Sequence, residues 1–211
     1  MVILLWIYLP LQALEILELL RLSNQASKFL DGSITEQSFK DSTRAGVGLG
    51  GALMVVPIAV LTMIWMYRMS ANLRKLGRPG QTWAPGWGVG AWFVPPFVVY
   101  AVPWLMFKEL WKGSDPELGQ GDPAWKQGRV PPLITVWWVL YGLIPVLSIS
   151  SNGQFVNQIR TDDTTRQIAQ RYHDYAASTF IFAALGIAAT AVYLVLVRRL
   201  SSRHMLATRE A

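Results

Sequence analysis

Ala176-Ala-Ser-Thr-Phe-Ile-Phe-Ala-Ala-Leu-Gly-Ile-Ala-Ala-Thr-Ala-Val-Tyr-Leu-Val-Leu-Val197 runs without a charged side chain and is followed at once by Arg198-Arg199. A helix advancing ~1.5 Å per residue needs about 20 mostly apolar residues to cross the ~30 Å hydrocarbon core of a bilayer. The run meets that length, and the two arginines end it where headgroups begin. It predicts a transmembrane helix. Three more stretches pass the same test: Val2 to about Leu22, about Ala45 to Tyr67, and Leu133 to Ile149. Pro131 and Pro132 precede the last of these and suit a helix start. The first lacks a basic leader and carries Glu15 and Glu18 where a cleavable signal would be apolar, so it reads as a span.

The composition agrees. Of 211 residues, 52% are apolar and 15% charged, against about 25% charged in an ordinary soluble domain. Ten tryptophans point to bilayer interfaces, where an indole buries its body and keeps its N–H in a polar layer. With no cysteine, disulfides, thiolate metal sites and cysteine nucleophiles are excluded. The net charge of +6 comes from basic residues at the ends of apolar runs, the pattern of membrane topology and not of nucleic-acid binding.

A fifth apolar stretch, Gly88 to Phe107, contains Pro95, Pro96 and Pro103. Each proline removes a backbone donor, and a straight lipid-exposed helix would be left with unsatisfied carbonyls. Charge decides its path. Arg68, Arg74, Lys75 and Arg78 follow the second span, and Arg198, Arg199 and Arg203 follow the last. Both clusters belong on the cytoplasmic side. Two spans already restore the side between them, so a fifth crossing would leave one cluster outside. The expected fold is therefore an all-α integral membrane protein in one domain, with four transmembrane helices plus a proline-broken re-entrant or interfacial hairpin at 88–107. Five transmembrane helices are the alternative. Both termini then face the cytoplasm, and segments 23–44 and 152–174 lie outside. Ser33-Ile-Thr-Glu36 has the spacing of a capping box, and Asp162 and Asp163 stand ahead of a polar helix over Thr164 to Tyr175. Each half thus reads as span, outer polar helix, span, a weak hint of duplication.

Polar groups at membrane depth are the first candidates for a site. Gln12, Glu15 and Glu18 share one face of the first helix. They read as a proton or cation site, or, more plainly, as Glu18 paired with Arg21 and Glu15 bonded to a neighbouring helix. Gly46 and Gly50, with Ala184 and Ala188 in the last span, have the small-residue spacing of helix packing faces. His173, near Asp162 and Asp163, reads as a solvated interfacial residue more readily than a ligand, and His204 lies in a tail without a signal. No metal set, hydrolase motif or phosphate loop is found, and no metal or cofactor is expected.

The densest cluster of Trp, Pro, Gly and charge is Arg68 to Pro116. It predicts a cytoplasmic-side groove built from Arg68, Asn72, Arg74, Trp87, Trp92, Glu109 and Trp111, or, more plainly, an aromatic interfacial belt. The pattern Arg68-x-x-x-Asn72-Leu-Arg-x-Leu76-Gly77, then Pro85-Gly-Trp87-x-x-Gly90-x-Trp92-Phe-Val-Pro95, then Pro103 and Glu109-x-Trp111-Lys-x-Ser114-Asp115-Pro116, resembles an uncharacterised bacterial membrane family. That family is a domain of unknown function, number four-three-two-eight. Asp41, Arg44, Trp137-Trp138 and Arg198-Arg199 agree with it, so the likeness covers nearly the whole chain. It departs inside the hairpin, where Val98 or Val99 and Leu105 stand in place of the family's Asn and Gln. The resemblance implies a bacterial inner membrane and supplies no activity. The expected function is a non-catalytic accessory or scaffold subunit of a larger inner-membrane complex, of which a bioenergetic one is an instance. Its partners would be membrane lipids and other membrane subunits, with no nucleic acid. A small-solute or ion transporter is the alternative.

Overall fold

The computed structural model describes residues 1–44, 50–94, 96–142 and 164–209. Every regular element among them is helical. In chain order these are α1 (Val2–Leu30), α2 (Glu36–Arg44), α3 (Gly50–Lys75), the short α4 (Trp87–Gly90), α5 (Pro96–Gly113), a 3-10 turn (Pro123–Gln127), α6 (Pro132–Gly142) and α7 (Thr165–Arg209). Among the described residues three stretches are long and apolar enough to cross a membrane: Val2–Leu30, Leu53–Lys75 and Ala176–Thr208. The described part of α6 is shorter, and the remainder of the expected third span, 143–149, lies outside the described residues.

The helices run longer than hydropathy alone predicts. α1 continues past Leu22 to Leu30, and α3 past Tyr67 to Lys75. The expected polar helix before the last span is no separate element. It is the first turns of α7, which continues without interruption for 45 residues, about 67 Å at 1.5 Å per residue. Polar residues leave hydrocarbon without breaking a helix, and no proline stands between Thr165 and Arg209 to end this one. Its N-terminus is capped reciprocally: the Thr164 amide donates to Gln167 Oε1 (2.8 Å), and the Gln167 amide to Thr164 Oγ1 (3.4 Å). Ser33, in contrast, does not cap α2. Thr35 does, accepting from the Ser38 amide at 3.3 Å, while Glu36 is free of the cap and pairs with Lys40 at 2.6 Å. Asp162 and Asp163 fall outside the described residues.

The chain divides into two compact units. One comprises 6–54 and 140–190, the other 1–5, 55–139 and 191–211. In the first, the end of α1, α2 and the start of α7 enclose a small core of Ala26, Phe39 and Ala169, with Phe29 stacked on Phe39 at 5.3 Å. Ser27 Oγ and His173 Nδ1 meet at 3.0 Å beside it, and the Thr165 hydroxyl donates to Glu36 at 2.6 Å.

The second unit is built on one face of α3. Met66, Met69, Leu73 and Leu76 recur at helical spacing and are buried, and so are Val102, Met106, Phe107 and Leu110 of α5. Phe107 sits among Trp65, Trp137 and Tyr193 at centroid distances of 5.8, 4.8 and 6.3 Å. Rings at these separations add attraction beyond their buried area. Tyr193 also shares a 2.8 Å hydrogen bond with Thr62.

Between α3 and α5 the chain goes out and comes back. Gly88 in α4 lies so close to α3 that a Cβ there would stand 2.7 Å from the Tyr67 amide nitrogen. A turn over 91–94 then leads to α5, which opens with Pro96 at its first position, where a missing N–H costs nothing. Pro103 lies inside α5 without ending it. α5 ends at Gly113, whose carbonyl accepts from Arg78 Nε at 3.1 Å, so the two ends of segment 78–113 meet. Pro95 lies outside the described residues.

Candidate functional site

The block that the sequence singles out folds around one buried cation. α3 ends with paired main-chain bonds, Gly77 N–H to Arg74 O (3.0 Å) and Arg78 N–H to Leu73 O (3.3 Å). This terminus needs a left-handed residue after the helix. Gly77 supplies it at φ +66°. The reversal turns Arg78 inward, where it is 4% exposed. Its guanidinium donates to four main-chain carbonyls: Gly113 (3.1 Å), Gly119 (2.7 Å), Asp115 (3.1 Å) and Leu118 (3.0 Å). The planar fork of arginine suits such divided donation, and no carboxylate among the described residues takes part. The Gly121 amide closes the same loop on Leu76 O at 3.0 Å, and Trp125 Nε1 donates to Pro79 O at 3.2 Å.

Glu109 has a comparable place. Its two carboxylate oxygens accept from the amides of Thr82 (3.0 Å) and Trp83 (3.3 Å), fixing the loop ahead of α4. Lys112 Nζ donates to Lys126 O at 2.9 Å. Toward α7, Arg203 pairs with Asp115 at 2.6 Å and lies 5.3 Å from the centre of the Trp111 ring. Ser114, 0% exposed, meets His204 Nδ1 at 2.8 Å, and His204 is itself only 6% exposed. The other ring nitrogen, Nε2, is buried with no hydrogen-bond partner among the described residues.

Besides a space of about 250 Å³ against residues 116–120, two larger ones flank this scaffold. One cavity of about 380 Å³ is lined by Trp65, Arg68, Asn72, Ser201 and His204 with apolar neighbours. Trp65 Nε1 donates to Ser201 Oγ there at 3.0 Å. The second, about 510 Å³, is a cleft lined by Trp111, Val195, Arg198, Arg199, Ser202 and Arg203.

The predicted groove residues thus separate into different settings. Arg68 and Asn72 share the first cavity, and Trp111 lines the second. Glu109 holds main chain. Trp87 stands edge-on to Trp83 at 5.6 Å, Trp92 Nε1 donates to Gly88 O at 3.1 Å, and Arg74 is exposed. In the other unit Glu18 pairs with Arg21 at 3.3 Å, and Gln12 Oε1 is buried without a partner. Among the small residues of α7, Ala184 and Ala188 are exposed, while Gly186 is the one beside Gln12, 3.4 Å from Nε2 to its ideal Cβ position. Gly46 lies outside the described residues and Gly50 opens α3. His173 touches Ser27, and no group of three or more metal-ligating side chains occurs among the described residues. Sequence reasoning missed His204 and Ser114. The signal was present: His204 continues the stripe Leu196, Leu200, so it falls on the core face of α7.

A family model for the domain of unknown function DUF4328 matches residues 31–202. The chain belongs to this family. Within the DUF4328 match fall Arg78 with all four of its acceptors, Glu109, and the arginines at 198 and 199. No curated protein and no solved structure matches the chain.

Proposed function

We propose that this DUF4328 chain is a non-catalytic accessory or scaffold subunit of a larger bacterial inner-membrane assembly. One observation carries the reading: Arg78, Glu109 and Lys112 of the block 68–116, with Trp125 beyond it, are spent on main chain. Arg78 binds four carbonyls and Glu109 two amides, while Trp125 and Lys112 each hold a carbonyl. A general acid, base or nucleophile has to reach a reacting atom, and groups used in this way rigidify a platform. Large apolar side chains exposed along the spans, such as Ile3, Leu14 and Leu17 of α1 and Leu53, Val56 and Val60 of α3, suit lipid or the helices of a neighbouring subunit.

The reading includes four spans and a re-entrant hairpin, with both termini in the cytoplasm. The meeting of Arg78 with Gly113 supports it, since a segment whose two ends touch returns to the side it left. The absence of native cysteine lets single substitutions report the topology. Cysteines at Gln81, Gly119 and Ser202 are expected to label from the cytoplasmic face only, and one at Asn157 from outside only. Labelling of Gln81 and Gly119 from opposite faces would make segment 88–107 a fifth span. The functional claim is tested by gentle detergent extraction from native membranes. Co-migration with other membrane subunits is expected, and recovery solely as a free monomer refutes it.

The carrier reading keeps one observation in its favour, the unpartnered Gln12 Oε1 on the face that also bears Glu15. It requires that Glu15→Gln abolish solute flux or proton coupling in vesicles, and unchanged flux removes it.

A further inference from the structure

We infer that the cleft between the end of α5 and α7 seats the phosphate headgroup of one anionic phospholipid. The inference rests on reading Ala176–Val197 as a span, and not on which leaflet its end faces or on the subunit role.

Position comes first. Val195, at the apolar end of the cleft, is 40% exposed, and Arg198 is the residue after the charge-free run. The cleft therefore opens where acyl chains give way to headgroups. Trp111 forms another wall, an indole at the depth that indoles favour.

Charge comes second. Arg198, Arg199, Ser202 and Arg203 occupy adjacent positions one turn apart, so their side chains share one face of α7. Like charges four residues apart repel, and Arg199 and Arg203 form such a pair. Arg203 is neutralised and aimed by Asp115 at 2.6 Å and by the Trp111 carbonyl at 3.4 Å. Arg198 and Arg199 are exposed and have no hydrogen bond or ion pair among the described residues. Two positive charges thus remain uncompensated beside a fixed third, with the Ser202 hydroxyl as a further donor. Guanidinium forks match phosphate oxygens in geometry, and basic pockets at helix ends are where acidic lipid headgroups bind.

The volume, about 510 Å³, lies in the range of small-ligand sites, about 300–1,000 Å³. A free phosphate would use the arginines alone. The apolar rim of Val195 and the Trp111 ring favours a phosphate that carries acyl chains.

The test is native mass spectrometry of the full chain in detergent, titrated with phosphatidylglycerol and with phosphatidylcholine of the same acyl composition. Unaltered protein is expected to retain one phosphatidylglycerol at least about tenfold more tightly than phosphatidylcholine. Each arginine near the surface contributes about fivefold, so Arg198→Gln with Arg199→Gln should weaken phosphatidylglycerol by about twenty-five-fold and zwitterionic phosphatidylcholine by much less. The charge-matched pair Lys75→Gln with Arg129→Gln, both exposed elsewhere in the chain, should retain the lipid. Equal retention of the two lipids by unaltered protein overturns the proposal, as does an equal loss in the control pair. Displacement of the lipid by millimolar inorganic phosphate also overturns it, because the cleft would then read a free anion. Carbonate extraction of membranes separates the two levels of failure: a chain that washes off refutes the span itself. A chain that stays embedded without anion preference refutes the cleft alone.

Discussion

Replacing Arg78 by methionine should open the loop that follows α5 without unfolding the helices. The side chain is 4% exposed and its guanidinium serves the carbonyls of Gly113, Asp115, Leu118 and Gly119 at 2.7–3.1 Å. Methionine keeps much of the apolar stem and leaves no stranded countercharge, because no carboxylate faces the group. The whole loss comes from the carbonyls. A buried acceptor left without a donor costs about 1–3 kcal/mol. The Gly113 bond is buried and the other three are partly so, so water recovers a share of their cost. The net is about 4 kcal/mol. At 1.4 kcal/mol per factor of ten, that raises the open population of the loop by close to a thousandfold. Hydrogen exchange at the Gly121 amide reads this opening directly, because that amide donates to Leu76 O across the closed loop. Exchange there should accelerate by two to three orders of magnitude, with amides in the middle of α3 unaffected. Arg78→Lys should recover part of the protection, since an ammonium has three donors but not the planar fork. Acceleration at Gly121 of less than about tenfold in the methionine variant would show that the carbonyls are satisfied without Arg78, and the clasp would lose its role.

Other predictions follow from the same geometry. Gly88→Ala should lower the unfolding midpoint, by about 1–3 kcal/mol in stability, because the new methyl would meet main-chain atoms of Met66 and Tyr67 at 3.1 and 2.7 Å. Gly90→Ala, with nothing within 4 Å, should not. Tryptophan fluorescence against denaturant compares the two. Ser114→Ala should destabilise by about 1–3 kcal/mol by leaving His204 without its one hydrogen-bond partner. Adding His204→Leu should restore most of that loss, and a double variant no better than the single one would break the argument. Glu36 is held below the usual carboxylate range, first by its hydrogen bond with Lys40 and then by that with Thr165. A lowered folded-state pKa gives stabilisation that is present above the unfolded value and lost as pH falls through the folded one. Amide protection at the start of α7 should therefore decline on acidification, and Glu36→Gln should remove that pH dependence.

Much of the helical architecture was legible because hydrocarbon demands one pattern, a long charge-free run. Ala176–Val197 announces itself in that way, and the charge clusters around Arg68–Arg78 and Arg198–Arg203 mark where such runs stop. Helix ends were less legible. Hydropathy ends where polarity begins, whereas a helix ends only where geometry forces it, so α1 runs on to Leu30 and α7 to Arg209. The cap of α2 misled for a local reason: Ser33 has a Glu three residues on and Thr35 has not, yet Ser33 lies in the turn after α1, its amide bonded to Asp31, and Thr35 accepts from the Ser38 amide.

The block was conspicuous in the sequence, and its wiring was not. Sequence marks Arg68 to Pro116 as the block where charge and aromatics concentrate, and Arg78 with two of its acceptors, Gly113 and Asp115, lies inside it, while the flanking open spaces are lined also by residues of α7. It could not mark Arg78, for a reason that reaches beyond this chain. A side chain that pairs with another side chain leaves two clues, an acid and a base, whereas one that pairs with carbonyls leaves a single clue, because every residue has a carbonyl. All four residues that supply acceptors to Arg78, at positions 113, 115, 118 and 119, do so through main-chain carbonyls and contribute nothing to it by side chains. Substitutions at 115, 118 and 119 should leave the clasp intact provided the main chain keeps its path. Gly113 is different, since a Cβ at that position would press on Leu73 at 2.9 Å. The tolerances of the loop are thus set by backbone room, and those of Arg78 by donor geometry.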